Sequence, residues 1–517
     1  MNTGSLCSGG PPEERARIPV REYSCIPGAR MKSSKYQVLS EGEIRTIHEH
    51  SVRVLSETGI RVVVKKMRGI LRDIGCAVDD ETKIVRFPPH IVEEYRKKAP
   101  REFVMCGCDP SYERLISPDT RVFSGLSTAI NMYDLETGEY RPTTLKDVVD
   151  HIVLIDYMDH IHTNQMDIWP NDIPMQTIHV ETMRQWALNC KKPYTLGSYG
   201  VLATTDMLHI LSLIMGGMDK IKTKHPFNNI VSVQSPLSTA HLQIEGLMIM
   251  AQNGQPCIMA PEAMAGTTAP VTLAGLLVQH NAEILAHIIM AQAVNAGTPV
   301  FYGTVSTIAE MRRGTVALGA IETGMISAAS AQLANHYGIP CRAVAGCTES
   351  KTMDVQCGIE RSQSIMLAAM GGANYITCVG TFESSTAAAH ELTVIDNEII
   401  GMTERALRGI EVNENSMALD VIQAVGPDGN YLMQEHTQKN FRSEHFIPKL
   451  ADRDKRDIWE KGGKKDMLVR ARDEAKKILA KHKLKDIDTK LAKELDDFVK
   501  SVAARSLDDF YNAEWES

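Results

Sequence analysis

Aromatic rings and carboxylates recur at one kind of address in this sequence, the far ends of short apolar runs that alternate with helical stretches. Met166, Asp167 and Trp169 follow one such run, Ser198 and Tyr199 the next, then Gln234, Glu262, Tyr302, residues 346–351 and residues 381–383. Aromatic faces combined with acids suit an organic cation, above all a quaternary ammonium, which has no N–H to donate and is held through its diffuse charge. Each member also has a plainer reading. Tyr302 or Trp169 alone serves as a core or rim aromatic, and Glu262 or Glu383 alone can pair with Arg312, Arg313 or Arg342 at the mouth of a barrel. Their shared address is what favours a pocket. Other chemistries have weaker support: the Cys106-Gly107-Cys108 pair has no second pair at zinc-ribbon spacing, and no HExxH, GxSxG or Walker A sequence occurs. No metal is expected, although a zinc built from Cys347 and histidines on separate strand ends stays open.

The elements that must bring these residues together form a regular series. The apolar runs are IHTNQM (161–166), PYTLGS (193–198), NIVSVQ (229–234), PCIMA (256–260), PVFYG (299–303), PCRAVAG (340–346) and NYITCVG (374–380), with helical stretches between them. Several helices end in Gly followed two residues later by a strand-opening Pro, as at Gly254/Pro256, Gly297/Pro299 and Gly338/Pro340. Gly suits a helix C-cap, and Pro cannot continue a helix but can begin a strand. Strands that are apolar throughout and alternate with helices indicate a parallel sheet buried on both faces. The seven runs, plus one strand from VFSGLSTAINMYD, make eight, which predicts a TIM (β/α)8 barrel; no GxGxxG follows a strand to suggest an open sheet. That preceding stretch also reads as a hairpin with EYRP around the Thr137-Gly138 turn.

Four segments are expected: an extension over 1–34, a small N-terminal α/β cap over 35–120, the barrel over 121–460 and charged C-terminal helices over 461–517. The extension is rich in Gly, Pro, Ser and Arg without an apolar period. In the cap, Ser40 and Glu43 form a capping-box pattern, followed by a strand and turn in CAVDDETKIVRFP. The C-terminal helices read as a solvated pair packed on the barrel, or as a docking surface for a partner protein.

Composition narrows the classes further. The 517 residues are 43% hydrophobic and 23% charged with a net charge of −8, ordinary for a soluble globular chain and unsuited to holding nucleic acid or an anionic membrane by charge. The N-terminus lacks the apolar core of a signal peptide, and the 11 cysteines, an odd number, suit a reducing compartment, so a cytoplasmic location is expected.

Four stretches in order, QSPLST (234–239), GTTAPVTLAG (266–275), ESKTMDVQCGIE (349–360) and ELTVIDNEIIGM (391–402), resemble the trimethylamine methyltransferase family. The resemblance runs from about Lys35 to about Val502. It implies a TIM-barrel enzyme that moves a methyl group from an amine to the Co(I) form of a corrinoid carried by a separate small protein. The founding members carry pyrrolysine at a late barrel loop, which here would fall in or near 346–356, where only ordinary residues are written. The chain therefore resembles the non-pyrrolysine branch, whose members demethylate quaternary amines such as glycine betaine, proline betaine and carnitine.

Chemistry points the same way: a quaternary ammonium leaves as a neutral tertiary amine and needs no activating residue. Glycine betaine heads the implied substrates, giving dimethylglycine and methyl-Co(III). No residue is required as acid or base; positioning and desolvation are the enzyme's task. Charge on nitrogen disappears in the transition state, so a carboxylate against it would hold substrate more than transition state, and aromatic faces are expected there instead. Tyr199, Tyr302 and Phe382 are the candidate cation-facing aromatics, Gln234, Glu262 and Glu383 the polar wall, and Arg312, Arg342, Lys351 and His390 the candidates for a betaine carboxylate. Asp354, Gln356, Asp396 and Glu398 match family motifs with a structural reading, as helix caps or hydrogen bonds beneath the pocket. No tightly bound cofactor is expected, since the DxHxxG motif of corrinoid carriers is absent; the partners implied are the corrinoid protein, the amine and further copies of the chain in a homo-oligomer. A zinc-assisted corrinoid methyltransferase for a tertiary amine or methoxylated compound, and a barrel that only binds a betaine, remain as alternatives, and an in-frame amber codon would overturn the quaternary-amine argument.

Overall fold

The computed structural model of the chain describes residues 36–517 apart from 110, 126–128, 167 and 486, so the expected extension over 1–34 and Asp167 lie outside the described residues. Seven parallel strands form one curled sheet: β1 Val122–Gly125, β2 Tyr194–Gly197, β3 Phe227–Val233, β4 Cys257–Pro261, β5 Val300–Gly303, β6 Cys341–Val344 and β7 Tyr375–Val379, in the spatial order β1-β7-β6-β5-β4-β3-β2. The remaining gap, between β1 and β2, is closed by the extended segment 162–166. His162 N donates to Phe123 O at 2.8 Å on one side, and Asn164 N and Met166 N donate to Pro193 O at 2.8 Å and Thr195 O at 3.1 Å on the other. The eighth position is thus held by bridge-type bonds rather than a full ladder.

Eight helices complete the (β/α)8 series: α1 Leu145–Tyr157, α2 Ile178–Asn189, α3 Gly200–Met215, α4 His241–Gln252, α5 Leu273–Val294, α6 Ile321–Tyr337, α7 Val355–Gly371 and α8 His390–Arg408. Their ends follow local chemistry. Thr144 and Asp147 form a capping box at α1, Asp354 caps α7 by accepting from Cys357 N, and Gly338 ends α6 with φ 69°. The expected hairpin is divided between two sheets. Val122–Gly125 runs parallel to β7 in the barrel, while Asn131–Tyr133 and Tyr140–Pro142 pair antiparallel around Gly138.

The strands are apolar on both faces because both are covered. Outward side chains such as Tyr302, Cys341 and Ala343 join the large core beneath the helices, whereas Ile258, Ala260, Phe301 and Tyr375 point inward. The N-terminal segment supplies the lower end of that interior: the hairpin of Phe103–Cys106 and Glu113–Ile116 bonds to the start of β3 through Cys106 N and His225 O at 3.1 Å, and the Phe103 ring stands edge-on to Phe301 with centroids 5.2 Å apart. The capping box of Ser40 and Glu43 starts the helix Glu41–Arg53 as expected. The C-terminal helices Met467–Lys481 and Thr489–Ala503 lie on α8, α1, α2 and α3, tied down by Arg472 to Glu391 at 2.9 Å and Arg505 to Asp206 at 2.7 Å.

By length and composition α5 is the one helix among the described residues apolar enough to cross a membrane, and most of it is buried inside the protein. It carries Glu283, whose carboxylate accepts from Ser235 Oγ at 2.7 Å, Leu237 N at 2.8 Å and Gln279 Nε2 at 2.9 Å, fixing the loop after β3. Burial pushes this carboxyl from 4.5 up to about 7. The folded protein therefore holds the proton more tightly than the unfolded chain does. The associated stability is complete below pH 4.5 and is lost as pH rises to 7, on the order of 3 kcal/mol at most. Glu283→Gln removes this part of the pH dependence. Urea denaturation at about pH 5 and about pH 8 should show the variant gaining on the wild type at the higher pH; parallel pH slopes would contradict this assignment.

Candidate active site

A cavity of about 620 Å3 opens at the carboxyl ends of the strands, where the (β/α)8 architecture leaves its loops free to vary. The barrel interior beneath it is polar. The Tyr375 hydroxyl lies 2.8 Å from Thr163 Oγ1 and 3.0 Å from Thr195 Oγ1, and donates to Ser124 Oγ at 3.1 Å. Beside Tyr375 in the β6 to β7 register stands Arg342, which is 2% exposed and lines the cavity. Its Nη1 donates to Thr304 O at 2.9 Å, while Nε has no hydrogen-bond partner. Burial lowers the Arg342 pKa to about 10, with Glu262 among the groups acting in the opposite direction, so the guanidinium remains charged at neutral pH. A buried cation that lines a cavity is suited to holding an anion there.

The walls combine two aromatics with polar groups. Trp169 and Tyr199 meet edge to face, centroids 6.3 Å apart at 72°. Trp169 is placed by its N–H bond to Ala129 O at 2.8 Å. Tyr199 precedes α3, and its ring lies so close to β2 that a Cβ on Gly197 would sit 2.9 Å from the hydroxyl. Burial pushes the Tyr199 phenol up to about 12, so it presents a neutral ring. Glu262 continues the inward face of β4 beyond Ile258 and Ala260; its side chain is open to the cavity yet enclosed by protein, which raises its pKa, with Arg342 and Ser232 acting in the opposite sense. Gln243 on α4 accepts from Ser232 N at 2.8 Å and donates to Ser198 O at 2.9 Å, bracing the ends of β3 and β2.

Ser384 and Ser385 form the rim. With Glu383 they occupy three successive left-handed positions, φ 51°, 52° and 70°, a backbone that non-glycine residues adopt only when their surroundings enforce it. The enforcement is visible. Ser384 N donates to Thr348 O at 2.9 Å and its Oγ to Glu349 at 3.0 Å, and Glu349 is itself held by Gly319 N at 2.9 Å. Below, the fully buried Arg361 donates to Asp396 at 2.8 Å and to Thr381 O, and Gly380 N donates to Asp396 at 2.8 Å. Of the two structural roles expected for Asp396, helix cap or buried hydrogen-bonding residue, it takes the second.

Of the residues expected at the site, Tyr199, Glu262 and Arg342 line the cavity, together with Met166 and Trp169. The others are placed elsewhere. Gln234 is exposed beyond the end of β3, and the inward position is Ser232. Tyr302 points outward and donates to Asn281 on α5 at 3.0 Å, because Phe301 and Gly303 take the inward parity of β5. Phe382 is fully buried in a separate small cluster with Cys357 and Leu392, its ring 5.3 Å from Tyr133. Glu383 faces Tyr140 at 3.4 Å, and the two serines after it reach the cavity. Arg312 pairs with Glu310 at 2.8 Å on the exposed hairpin of Thr307–Glu310 and Thr315–Ala317. Lys351 is exposed and donates to Glu349 O at 2.6 Å. His390 is buried at the start of α8, stacked on His151 with centroids 6.5 Å apart, and burial pushes its pKa down to about 3. Sequence reasoning missed Gln165, Thr195, Ser232, Gln243, Ser384 and Ser385. The signal for Thr195 and Ser232 was strand parity; Gln243 comes from a helix and had none.

Among the described residues no three His, Cys, Asp or Glu side chains converge as metal ligands, and the nine cysteines there are free thiols. The cavity offers a buried cation at its base and a neutral aromatic pair on its wall, which together suit a zwitterion carrying a carboxylate and an alkylated ammonium.

Residues 8–505 match the model of the family described as trimethylamine methyltransferase. A glycine betaine methyltransferase of Desulfitobacterium hafniense (strain Y51) is 34% identical, over 90% of this chain and 97% of the relative. A trimethylamine methyltransferase of Desulfitobacterium hafniense (strain DSM 10664 / DCB-2) is 31% identical, over 93% and 97%. Among solved structures, the monomethylamine methyltransferase of Methanosarcina barkeri covers 91% of this chain and 96% of its own, at 12% identity and a TM-score of 0.48.

Proposed function

From the premise that the chain belongs to the trimethylamine methyltransferase family and is a methyltransferase, we propose that its substrate is a quaternary amine bearing a carboxylate, with glycine betaine first, and that the methyl acceptor is the Co(I) corrinoid of a separate carrier protein. The observation that carries this reading is Arg342. A buried guanidinium lining the cavity repels trimethylamine in its protonated form and complements a betaine carboxylate. The glycine betaine methyltransferase among the relatives supports the same choice.

The residues then divide the work by position. Arg342 takes the carboxylate, and the ammonium lies toward Trp169 and Tyr199, whose faces accept a diffuse charge without opposing its loss during transfer. Glu262 interacts electrostatically with Arg342, consistent with a pocket that holds the zwitterion without trapping its positive end. The leaving tertiary amine is neutral, so no side chain has to move a proton. Enclosure by the strand ends and rim excludes water from the reacting carbon.

The test follows the visible spectrum of a Co(I) corrinoid, free or on a carrier protein, with this enzyme and each of glycine betaine, proline betaine, carnitine and trimethylamine. Methylation of cobalt with a carboxylate-bearing quaternary amine and not with trimethylamine is the expected result. Methylation with trimethylamine alone overturns the substrate reading, and no reaction with any of the four overturns the corrinoid assignment.

A further inference from the structure

Tyr199 reaches the cavity from a turn that the start of α4 holds on both sides. Gly200, which follows it, has φ 82°, and α4 packs so closely that a Cβ there would sit 2.8 Å from Leu242 Cδ2 and 3.3 Å from Glu245 Oε2. Gln243, from the same turn of α4, donates to Ser198 O at 2.9 Å on the other side of Tyr199.

Glu245 carries a carboxyl where an apolar side chain would pack at less cost. It is fully buried, and Oε2, the oxygen beside Gly200, has no hydrogen-bond partner among the described residues. What the acid adds is a bond to the C-terminal segment: Oε1 accepts from Trp515 N, and His241 Nε2 lies 3.2 Å from the same oxygen. Burial raises the Glu245 pKa, with Glu514 acting in the same direction and the Trp515 N–H and His241 in the opposite one. The segment is anchored in turn to the N-terminal cap. Glu516 O accepts from Lys65 N at 2.9 Å, the Glu516 carboxylate pairs with Lys65 Nζ at 2.7 Å, and Lys66 Nζ stands 3.9 Å from the centroid of the Trp515 ring. Ser517 Oγ lies 3.0 Å from His241 Nδ1. The family match ends at residue 505, so the residues that close on Glu245 lie beyond the matched span.

We propose that Glu245, locked by residues 514–517, is a positioning residue that holds α4 against Gly200 and so keeps Tyr199 on the cavity wall. This rests on the reading of Tyr199 as a face for the substrate's ammonium. When the segment lifts away, Glu245 is left buried with His241 alone beside it, and a buried carboxyl that loses a donor is drawn toward water. Gly200 then loses its support, and the turn that carries Tyr199 relaxes. Substrate affinity thereby depends on a contact among the N-terminal cap, residues 514–517 and α4, outside the cavity itself.

Fluorine NMR of the full chain labelled with 5-fluorotryptophan tests this without any substrate. The chain has 4 tryptophans, and the resonance that Trp169→Phe removes reports on Tyr199, whose ring stands edge to face with Trp169 at 6.3 Å. Glu245→Ala should shift that resonance. So should Trp515→Pro, which removes the accepted N–H and, lying outside the barrel, keeps the proposal testable if the first variant misfolds. Glu245→Gln keeps an acceptor for Trp515 N and should stay at the wild-type position. In steady-state kinetics with glycine betaine, the two shifting variants should raise KM by on the order of three- to tenfold with kcat little changed, a partial loss of one cation–π face. A Trp169 resonance that stays in place in folded Trp515→Pro overturns the proposal, as does an equal shift in Glu245→Gln. A resonance that moves while KM stays constant supports the lock and overturns instead the placement of the ammonium on Tyr199.

Discussion

Arg342→Met should raise the KM for glycine betaine by on the order of 100-fold while changing kcat little. Hydrogen bonds to charged groups contribute about 1.5–3 kcal/mol each, and tenfold in affinity corresponds to about 1.4 kcal/mol. The guanidinium lines the cavity and donates through Nη1 to Thr304 O, so a carboxylate beside it gains a strong bond and a compensating charge. The carboxylate lies away from the bond that breaks. Its loss therefore removes binding shared by ground and transition states, which appears in KM. Methionine preserves much of the side-chain volume, and Glu262, which loses the opposing charge of Arg342, has a carboxyl pKa already raised by burial and can take up a proton. Steady-state kinetics with the betaine, beside calorimetric titration, distinguishes the outcomes. An unchanged KM would remove Arg342 from the substrate site; a collapse of kcat at constant KM would place it at the reacting centre instead.

The second large effect concerns stability. Asp396→Ala should cost about 3–5 kcal/mol, because it leaves Arg361 charged and unpaired in the interior. Arg361 and Asp396 are both fully buried, and Asp396 also accepts from Gly380 N at 2.8 Å. The same pair anchors Thr381 O, three residues before the rim serine Ser384. The variant should therefore lose affinity for the betaine as well as stability. Replacing both partners by apolar residues, as Arg361→Met with Asp396→Leu, should recover much of the stability, since two desolvated charges cost nearly as much as their attraction returns. Urea denaturation of the three proteins decides it. A single variant within about 1 kcal/mol of wild type, or a double variant no better than the single, would show that the pair does not act as described.

The (β/α)8 alternation, the motifs and the Gly-to-Pro junctions were all readable in one dimension because each depends on local chemistry: caps, chain stiffness and an apolar period. Strand positions were legible for the same reason, down to the run 161–166 that closes the barrel without a full ladder. The site was only partly legible. Tyr199 and Glu262 were identified because they stand at strand ends, and Arg342 because a guanidinium suits a carboxylate, but Tyr302 and Gln234 share the strand-end address and still miss the cavity. Tyr302 misses it by parity, since one step along a strand turns a side chain from the interior to the helix layer. Gln234 stands exposed past the end of β3 at Val233, and Ser232 takes the inward position.

The sequence by itself therefore determined the barrel, the family and the kind of chemistry, since periodicity and motif are properties of neighbouring residues. Tertiary structure alone decided which face each strand end shows, that Gln243 reaches in from a helix, and that three left-handed residues carry Ser384 and Ser385 over the mouth. Those features depend on what lies across the barrel or beyond it, and distance along the chain carries no record of that.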